Sequence, residues 1–306
     1  MAKILITGGT GLVGTRLTQL LIERKHDVRV LSRSPRLANE FMWDISKGFI
    51  ADEAIENIEY IIHLAGAGIA DKRWTKERKK VITASRVDTA NLVFQKIKEK
   101  NISLKGFISS SGSNYYGAKT TAIIYKESDP AGIDFLGVVC KEWEAAGAQF
   151  KRRDIPVTIL RTGVVLSRKG GALEKMKTPV ISPLGSGKQF MPWIHIDDLC
   201  AMFIKTVEEN ISGVYNAVAP EHSNSNTFSK TLAKVLRRPF IPIAVPGFLL
   251  KLVFGELAVI LLQGSRLSSK KITDKGFVFK YDTFCLLYTS DAADDLLCVD
   301  LGGRRI

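Results

Sequence analysis

Close to the start of the chain, glycines recur every third residue, at positions 8, 11 and 14. They follow a short apolar run, Lys3–Thr7, and precede a segment in which Leu17, Leu20 and Leu21 fall on one helical face. A glycine turn in that context lets the backbone approach a diphosphate, and the helix adds free N–H groups and the positive end of its dipole. The spacing alone also fits an ordinary turn, but the strand–turn–helix order predicts a dinucleotide site. Its expected diphosphate contacts are Gly8, Thr10, Gly11, Leu12, Val13 and Gly14.

The second apolar run, Val28–Leu31, is followed by Ser32, Arg33 and Ser34. Sites that select NAD usually place a carboxylate here, where it binds the ribose 2′-hydroxyl. This chain has no acid at these positions, and the Arg33 guanidinium can hydrogen-bond a 2′-phosphate through two N–H groups. We therefore expect Ser32 and Arg33 to bind NADP. The alternative is that Arg33 simply points to solvent.

A third apolar run ends at Leu64 and is followed by the small residues Ala65 and Gly66. Small side chains at the carboxyl end of a buried strand allow a cofactor to lie against the backbone. We expect these residues to flank the adenosine ribose or the diphosphate. A plain loop that ends the strand is the alternative.

The elements that must position these residues are visible as alternating apolar runs and helical patterns. Strand-like runs occupy residues 3–7, 28–31, 60–64, 106–110, 157–161 and 214–217, and helix-length segments such as Val81–Lys98 and Asp134–Phe150 lie between them. Alternating buried strands and helices predict an α/β fold, a Rossmann-type doubly wound parallel sheet with helices on both faces.

The regular alternation lapses after Arg161. Residues 167–190 are rich in Gly, Lys and Pro, and short helices with proline turns dominate from Pro220 onward. We predict an NADP-binding domain over residues 1–166, to which 191–219 return, and a smaller, mostly helical substrate lobe formed by 167–190 and 220–284. A last strand is expected at Gly276–Tyr281.

The net charge of +13 raises the question of nucleic-acid binding. The densest basic cluster (Lys72, Arg73, Lys76, Arg78, Lys79, Lys80) contains a single aromatic residue, Trp74, and no nucleic-acid-binding motif accompanies it. We expect a solvated helix face, no nucleic-acid partner, and an anionic cofactor or phosphorylated small molecule as the reason for the surplus charge.

No targeting or membrane-spanning segment is expected. A strand starts at Lys3, which leaves no room for a secretory signal. The longest apolar segment, Phe248–Leu262, is interrupted by Lys251, Gly255 and Glu256 and is shorter than the roughly 20 residues that a span needs. We interpret it as an amphipathic helix of the second lobe and expect a cytoplasmic protein without a membrane partner. A homodimer is compatible with the sequence.

The four cysteines have no spacing typical of metal ligands, so neither a metal site nor a disulfide is expected.

Taken together, the motifs resemble the extended short-chain dehydrogenase/reductase superfamily, and within it the atypical "sugar-nucleotide epimerase family" proteins, whose C-terminal part is a domain of unknown function. The resemblance covers about residues 2–283. Its blocks are the glycine turn, Ser32-Arg33, His63-Leu64-Ala65-Gly66, Arg73-Trp74-Thr75, Ser85-Arg86, Asp134-Phe135-Leu136, Trp143-Glu144, Arg161-Thr162-Gly163-Val164-Val165-Leu166, Gly185–Phe190, Trp193–Leu199, Asn216–Pro220 and Phe254-Gly255-Glu256. The resemblance implies NADP as cofactor and adds Arg86 and Val165 to the expected cofactor contacts.

Hydride chemistry in this superfamily uses a Ser or Thr with a Tyr and a Lys four residues apart on one helix. The string Tyr115–Lys119 has that spacing, but it follows a strand end directly and Gly117 interrupts it. The helix that should carry the pair begins near Asp134, and there Phe135 and Val139 occupy the two places. The pair is therefore expected to be absent.

Ser111 and Tyr116 remain as candidate catalytic residues. The Tyr116-Gly117 pair resembles the one that lines the substrate site in extended members of the superfamily. If chemistry occurs, Ser111 would hydrogen-bond a substrate carbonyl and Tyr116 would supply or position the proton. The alternative is that both residues only shape the pocket. His195 precedes a predicted helix start and is interpreted as structural.

Three functions are open at this point. The first is an NADP-dependent epimerase or oxidoreductase for a small hydroxylated or nucleotide-sugar-like substrate. The second is a non-catalytic NADP-binding sensor or scaffold, which the missing Tyr-x-x-x-Lys pair favours. The third is RNA binding through the basic surface.

Residues 285–306 depart abruptly from this pattern. They resemble translated sequencing-adapter sequence, so we interpret them as a non-native tail and exclude them from the functional reasoning.

Overall fold

The computed structural model describes residues 1–284, so the interpretation of the tail lies outside it. The first half contains β1 (Lys3–Thr7), α1 (Leu12–Glu23), β2 (Asp27–Ser32), β3 (Glu40–Asp44), β4 (Phe49–Ile50), α2 (Asp52–Ile55), β5 (Tyr60–His63), α3 (Lys76–Glu99), β6 (Gly106–Gly112), β7 (Ile124–Tyr125) and α4 (Phe135–Ala148). The second half contains β8 (Val157–Thr162), β9 (Val164–Ser167), β10 (Gly170–Gly171), α5 (Ala172–Met176), β11 (Trp193–His195), α6 (Ile196–Glu208), β12 (Gly213–Ala217), α7 (Ser225–Val235), α8 (Gly247–Phe254), α9 (Val259–Leu262), β13 (Arg266–Leu267) and α10 (Lys270–Thr273).

One large sheet organises the fold, with the strand order β12-β8-β6-β5-β1-β2-β3-β4. All neighbouring strands in it run parallel except β3 and β4. The order reverses between β1 and β5, and a reversal of this kind opens a ligand crevice at the carboxyl ends of the two strands. The predicted Rossmann-type doubly wound sheet is confirmed.

The alternating side chains of β1 show why the sheet is covered on both faces. Ile4 and Ile6 belong to a core cluster with Leu17 and Leu21 of α1, whereas Leu5 belongs to a second cluster on the other face. A parallel strand with both faces buried reads as a continuous apolar run, which is why the central strands were visible in the sequence.

Strands β3 and β4 were not predicted. In β3 only Trp43 is buried, and the apolar run of this strand near the edge, Phe41–Trp43, is only three residues long. The carboxyl end of β2 meets β3 at Ser32, and this pairing fixes the position of the segment that follows Ser32.

Two small sheets lie outside the large one, with strand orders β10-β9-β11 and β13-β7. The two inserts of the expected substrate lobe contact each other, since isolated bridges join Ile181 to Phe240 and Leu184 to Val245. The boundaries of that lobe stay a prediction.

The apolar segment 248–262 is not the single amphipathic helix that the sequence suggested. Helix α8 ends at Phe254, Gly255 has a left-handed backbone (φ 61°), and a short 3-10 turn leads into α9. In the part of the chain that the structure describes, none of the helices combines the length and apolar character needed to cross a bilayer.

A buried carboxylate holds the C-terminal segment of the described chain. Asp198 in α6 accepts hydrogen bonds from the amides of Lys280 and Tyr281, both at 2.9 Å. The strand expected at Gly276–Tyr281 does not form, because a side chain takes these amides in place of a neighbouring strand.

The β10–α5 segment lies over the start of α1. A Cβ at Gly171 would come within 2.8 Å of the Leu12 side chain. At the other end, Lys175 forms an ion pair with Asp71, with Nζ and Oδ1 3.8 Å apart. The segment thus connects the glycine turn to the loop that follows β5.

His63, at the end of β5, joins the two strands that border the crevice. Its Nδ1 lies 2.8 Å from the hydroxyl of Thr7 in β1, and its Nε2 lies 3.2 Å from the carbonyl oxygen of Arg86. In the neutral ring the proton must lie on Nε2, since the Arg86 carbonyl can only accept and Thr7 then donates to Nδ1. Burial lowers the pKa of His63 to about 4.

This pKa predicts a stability loss in acid. The unfolded chain binds a proton at His63 below the ordinary pKa of 6.5, whereas the folded chain takes it up only near pH 4. The free energy of unfolding should therefore fall by up to about 3 kcal/mol from this group as the pH drops from 6.5 to 4. Urea unfolding followed by tryptophan fluorescence across that range measures the loss.

His63→Asn keeps an acceptor for Thr7 but removes the titrating ring, so its pH profile should be flatter than that of the wild type. Thr89→Ala, which removes a hydroxyl 3.5 Å from the same ring, is the matched control and should keep the wild-type slope. If the unfolding free energy of His63→Asn falls with pH as steeply as that of the wild type, protonation of His63 does not cause the loss of stability.

Candidate functional site

The glycine turn between β1 and α1 brings backbone segments unusually close together. Gly8 has φ 71°, and a Cβ there would lie 2.7 Å from the carbonyl carbon of Leu64. A Cβ at Gly14 would lie 2.3 Å from the carbonyl oxygen of Gly8. Helix α1 begins after its N-cap Gly11, without a side-chain cap and with no acidic residue in its first turn. An uncapped helix start of this kind suits an anion.

A groove of about 610 Å³ extends from the glycine turn along α1 and the segment after β2. Gly9, Thr10, Ser32 and Arg33 line it. A second arginine, Arg36, also lines it. Thr18 and Gln19 of α1, Glu40 of β3 and the preceding Asn39 are further lining residues. Two guanidinium groups and serine hydroxyls beside a diphosphate turn suit a phosphate on the adenosine ribose.

The other side of the crevice is formed by Leu64, Ala65 and Gly66. Thr7 orders this turn, since its carbonyl oxygen accepts from the Leu64 amide at 3.0 Å and its hydroxyl accepts from the Ala65 amide at 3.2 Å. Gly66 is exposed and stands next to Arg86, whose guanidinium carbon would lie 3.0 Å from a Cβ at that position.

Arg86 is a buried cation below this turn. It is 6% exposed, and it donates to the carbonyl oxygens of Ile82 at 2.8 Å and Ala67 at 3.1 Å. Its guanidinium also lies 5.0 Å from the ring centre of Trp143. Burial lowers its pKa, and within residues 1–284 no carboxylate forms an ion pair with it. A buried charge without a counter-charge is costly, so an anionic ligand in the crevice would relieve it.

The predicted cofactor residues therefore converge from four elements. Leu12, Val13, Leu64 and Val165 all pack against the same core cluster. A Cβ at Gly171 would lie 2.8 Å from the Leu12 side chain and 3.8 Å from the Val165 carbonyl oxygen, so this glycine links β9 to the start of α1. Together with the features above, the residues present fit a dinucleotide with an extra phosphate. Their individual cofactor contacts stay predictions.

Ser111, the last but one residue of β6, belongs to a polar network. Its hydroxyl donates to Glu144 of α4 at 2.8 Å. Arg161 of β8 donates two parallel hydrogen bonds to the same carboxylate, from Nε to Oε1 at 2.8 Å and from Nη2 to Oε2 at 2.9 Å. Ser111 is 3% exposed, and because its proton is directed to Glu144, its hydroxyl oxygen can act only as an acceptor in a further contact.

Tyr116 lies in the same network and is 2% exposed. Its hydroxyl donates to the side-chain oxygen of Asn216 at 2.7 Å and accepts from Arg161 at 2.9 Å. Burial raises the pKa of Tyr116 to about 12. A phenol that holds its proton this firmly and is bonded on both sides orients its neighbours more readily than it transfers a proton.

The absence of the Tyr-x-x-x-Lys pair is confirmed. Residues Ser113–Tyr116 form one 3-10 turn that stops at Gly117, so Tyr115 and Lys119 do not share an α-helix. Helix α4 starts after its cap Asp134, and it carries Phe135 and Val139 at the two expected places.

An apolar cluster fills the region of α4 where that pair would lie. Val139 and Leu136 are buried there with Trp74, Ile82 and Leu257. Because Leu257 follows α8, this cluster joins the segment after α8 directly to α3 and α4.

His195 caps α6, in agreement with its structural interpretation. Its Nδ1 accepts from the amide of Asp197 at 3.3 Å, and its ring centre lies 3.8 Å from that of Tyr281.

Four residues of the site had no role assigned from the sequence. Glu144, Arg161 and Asn216 stood within the blocks that carry the family resemblance, which was the available signal. Arg36 lies three residues after Arg33, and only the course of the backbone after β2 shows that both line one groove.

Comparisons with known proteins agree with this geometry. The model of the "NAD dependent epimerase/dehydratase family" matches residues 4–218, and that of a domain of unknown function, DUF1731, matches residues 245–285. The mouse (Mus musculus) "Epimerase family protein SDR39U1" is 35% identical over 289 residues, which cover 91% of this chain and 96% of the relative.

Two solved structures are similar over most of the chain. The human epimerase family protein SDR39U1 (isoform2), crystallised with NADPH, has a TM-score of 0.85 and 32% identity, and the match covers 94% of this chain and 97% of that one. The nucleoside-diphosphate sugar epimerase from Corynebacterium glutamicum has a TM-score of 0.76 and 27% identity, with 94% and 57% covered. On these grounds the chain belongs to the NAD dependent epimerase/dehydratase family, with the DUF1731 domain at its C-terminal end.

Proposed function

We propose that this chain is an NADP-dependent oxidoreductase or epimerase that acts on a small hydroxylated or nucleotide-sugar-like substrate. The observation that carries the proposal is the groove that places Arg33 beside the glycine turn, with no acid at the end of β2. The NADPH bound by the human relative supports the cofactor.

Each part of the cofactor has residues that suit it. The amides of the turn from Gly8 to Gly14 would hold the diphosphate. Ser32, Arg33 and Arg36 would hold the 2′-phosphate, and the buried cation of Arg86 would balance negative charge across the crevice. When bound, the nicotinamide supplies or accepts a hydride.

The polar network suggests how a substrate would be held. Ser111 donates to Glu144, so the remaining acceptor capacity of its hydroxyl fits a substrate hydroxyl better than a carbonyl. The two hydrogen bonds from Arg161 fix that carboxylate, and the same guanidinium binds Tyr116. In this proposal Ser111 orients the reacting hydroxyl, and Tyr116 positions the network rather than giving up its proton.

A non-catalytic NADP-binding sensor or scaffold is the second candidate. The apolar cluster around Val139 and Leu136 favours it, because Phe135 and Val139 stand at the two places expected for the Tyr and the Lys. Turnover of NADPH or NADP with a panel of aldehydes, ketones and nucleotide sugars separates the two. Tight binding without turnover, together with capture of a partner protein, would favour the sensor. The cytoplasmic location and the homodimer stay predictions.

Arg33→Ala should remove the preference for the phosphorylated cofactor. Hydrogen bonds to a charged phosphate are worth about 1.5–3 kcal/mol, so NADPH affinity should fall by roughly 10- to 100-fold while NADH affinity changes little. Titration calorimetry with both cofactors measures the ratio. Arg24→Ala, at the other end of α1, is the control and should leave the ratio of NADPH to NADH affinity unchanged. An unchanged ratio in Arg33→Ala would refute the 2′-phosphate assignment.

Tyr116→Phe should destabilise the fold more than it affects cofactor binding. It leaves the Asn216 oxygen without its donor in a buried site, which costs about 1–3 kcal/mol. Tyr115→Phe is the matched control, since Tyr115 contacts Arg161 through the face of its ring. Urea unfolding of both variants, alongside NADPH titration, is the measurement. A Tyr116→Phe variant of full stability that loses turnover would instead mark this phenol as the proton donor.

A further inference from the structure

Helix α8 turns most of its side chains to solvent. Of its eight residues only Leu250 is buried, whereas Phe248 is 69% exposed, Val253 61% and Leu252 74%. Phe248 and Leu252 are four residues apart, as are Leu249 and Val253, so the four form one continuous strip along the helix. We call these four residues the α8 stripe. Single exposed apolar residues are ordinary, but a continuous strip of this kind marks a binding surface.

The α8 stripe is held in place by the cofactor domain. Arg73 donates to the carbonyl oxygen of Leu252 at 3.1 Å, and Lys79 of α3 is ion-paired with Glu256, just after the helix. The side of α8 that carries Leu250 therefore faces the protein, and the stripe has a fixed outward orientation.

Positive charge surrounds the stripe. Lys251 lies within α8 and is exposed. The segment that holds the helix adds further exposed cations, namely Lys72, Arg73, Lys76 and Lys80. The nearby acids are fewer. Glu256 is neutralised by Lys79 and Asp71 lies beside Arg78 and Lys175, which leaves Glu77 as the acid without an ion pair in the described part of this region.

We propose that the α8 stripe docks into the surface of an anionic phospholipid bilayer, with Lys251 and its neighbouring cations against the headgroups. An apolar helix face with flanking basic residues lies in the plane of such an interface, and its binding depends on anionic lipid. The positive charge around the α8 stripe favours an anionic bilayer over a second copy of the chain as the occupant. A symmetric interface would place this basic surface against itself, because each partner contributes the same patch.

The proposal runs against the expectation of no membrane partner. That expectation came from the shortness of the apolar segment 248–262, which argues against a span. A helix that lies on the surface needs only one exposed apolar face, and the sequence does not show which side chains the fold leaves uncovered.

Flotation of the full chain with lipid vesicles tests the proposal. The protein should float with vesicles of phosphatidylcholine and phosphatidylglycerol but not with phosphatidylcholine alone, and added salt should release it. The double variant Phe248→Ser/Leu252→Ser should bind anionic vesicles roughly tenfold more weakly or worse. Ile133→Ser and Val278→Ser are matched controls, being 91% and 85% exposed outside the stripe, and should bind normally.

NADPH titration of every variant reports whether the fold is intact. If the double variant fails to fold, Lys251→Gln tests the proposal in its place. It should weaken flotation with anionic vesicles while leaving NADPH affinity unchanged. Flotation that ignores lipid charge, or that survives in the double variant, would overturn the proposal. So would a wild-type dimer that the double variant dissociates, because a second copy would then cover the stripe.

Discussion

The closeness of two backbone turns is the constraint on which this structure depends. Strands β1 and β5 end side by side, and a Cβ at Gly8 would collide with the backbone of Leu64. Only glycine can take the left-handed conformation there and also leave that space empty. The Thr7 hydroxyl then ties the second turn to the first through the Ala65 amide. The start of α1, the groove beside Arg33 and the position of Arg86 all follow from where these two strands stop.

The cofactor scaffold and the catalytic pair are separable in this fold. The chain has the glycine turn, the basic groove and the sheet reversal, yet apolar side chains replace the titrating residues on α4. Its polar network joins several elements: Glu144 of α4 accepts from Ser111 of β6 and from Arg161 of β8, and Arg161 also donates to the Tyr116 hydroxyl. A bidentate ion pair of this kind is costly to bury, and its retention is consistent with a requirement for exact orientation rather than for stability.

The sequence predicted the features that depend on local pattern. Gly8, Leu17 and the buried central strands carry signals of turn chemistry and periodicity, so the fold and the crevice could be predicted. Features that depend on distant partners could not. Nothing near Asp198 shows that it binds the amides of Lys280 and Tyr281, and a half-exposed strand such as β3 has no clear alternation.

The residues of the site were likewise predictable only where a local pattern marks them. Arg33 follows a recognisable strand, whereas Arg36 enters the groove through the course of a loop. Glu144 and Arg161 are 17 residues apart and meet only because α4 packs against β8. Long-range side-chain pairing is set by tertiary packing, which a single sequence does not encode in its local pattern.

The segment from Gly170 to Met176 affects how a bound ligand would exchange with solvent. It rests on Leu12 at one end and is attached to the loop after β5 by Lys175 and Asp71, whose side chains are both more than half exposed. Exposed ion pairs contribute little free energy and are screened by salt. A ligand bound beneath this segment would therefore be retained in part by a weak ion pair. Its residence time would depend on the ionic strength as well as on the strength of its own contacts.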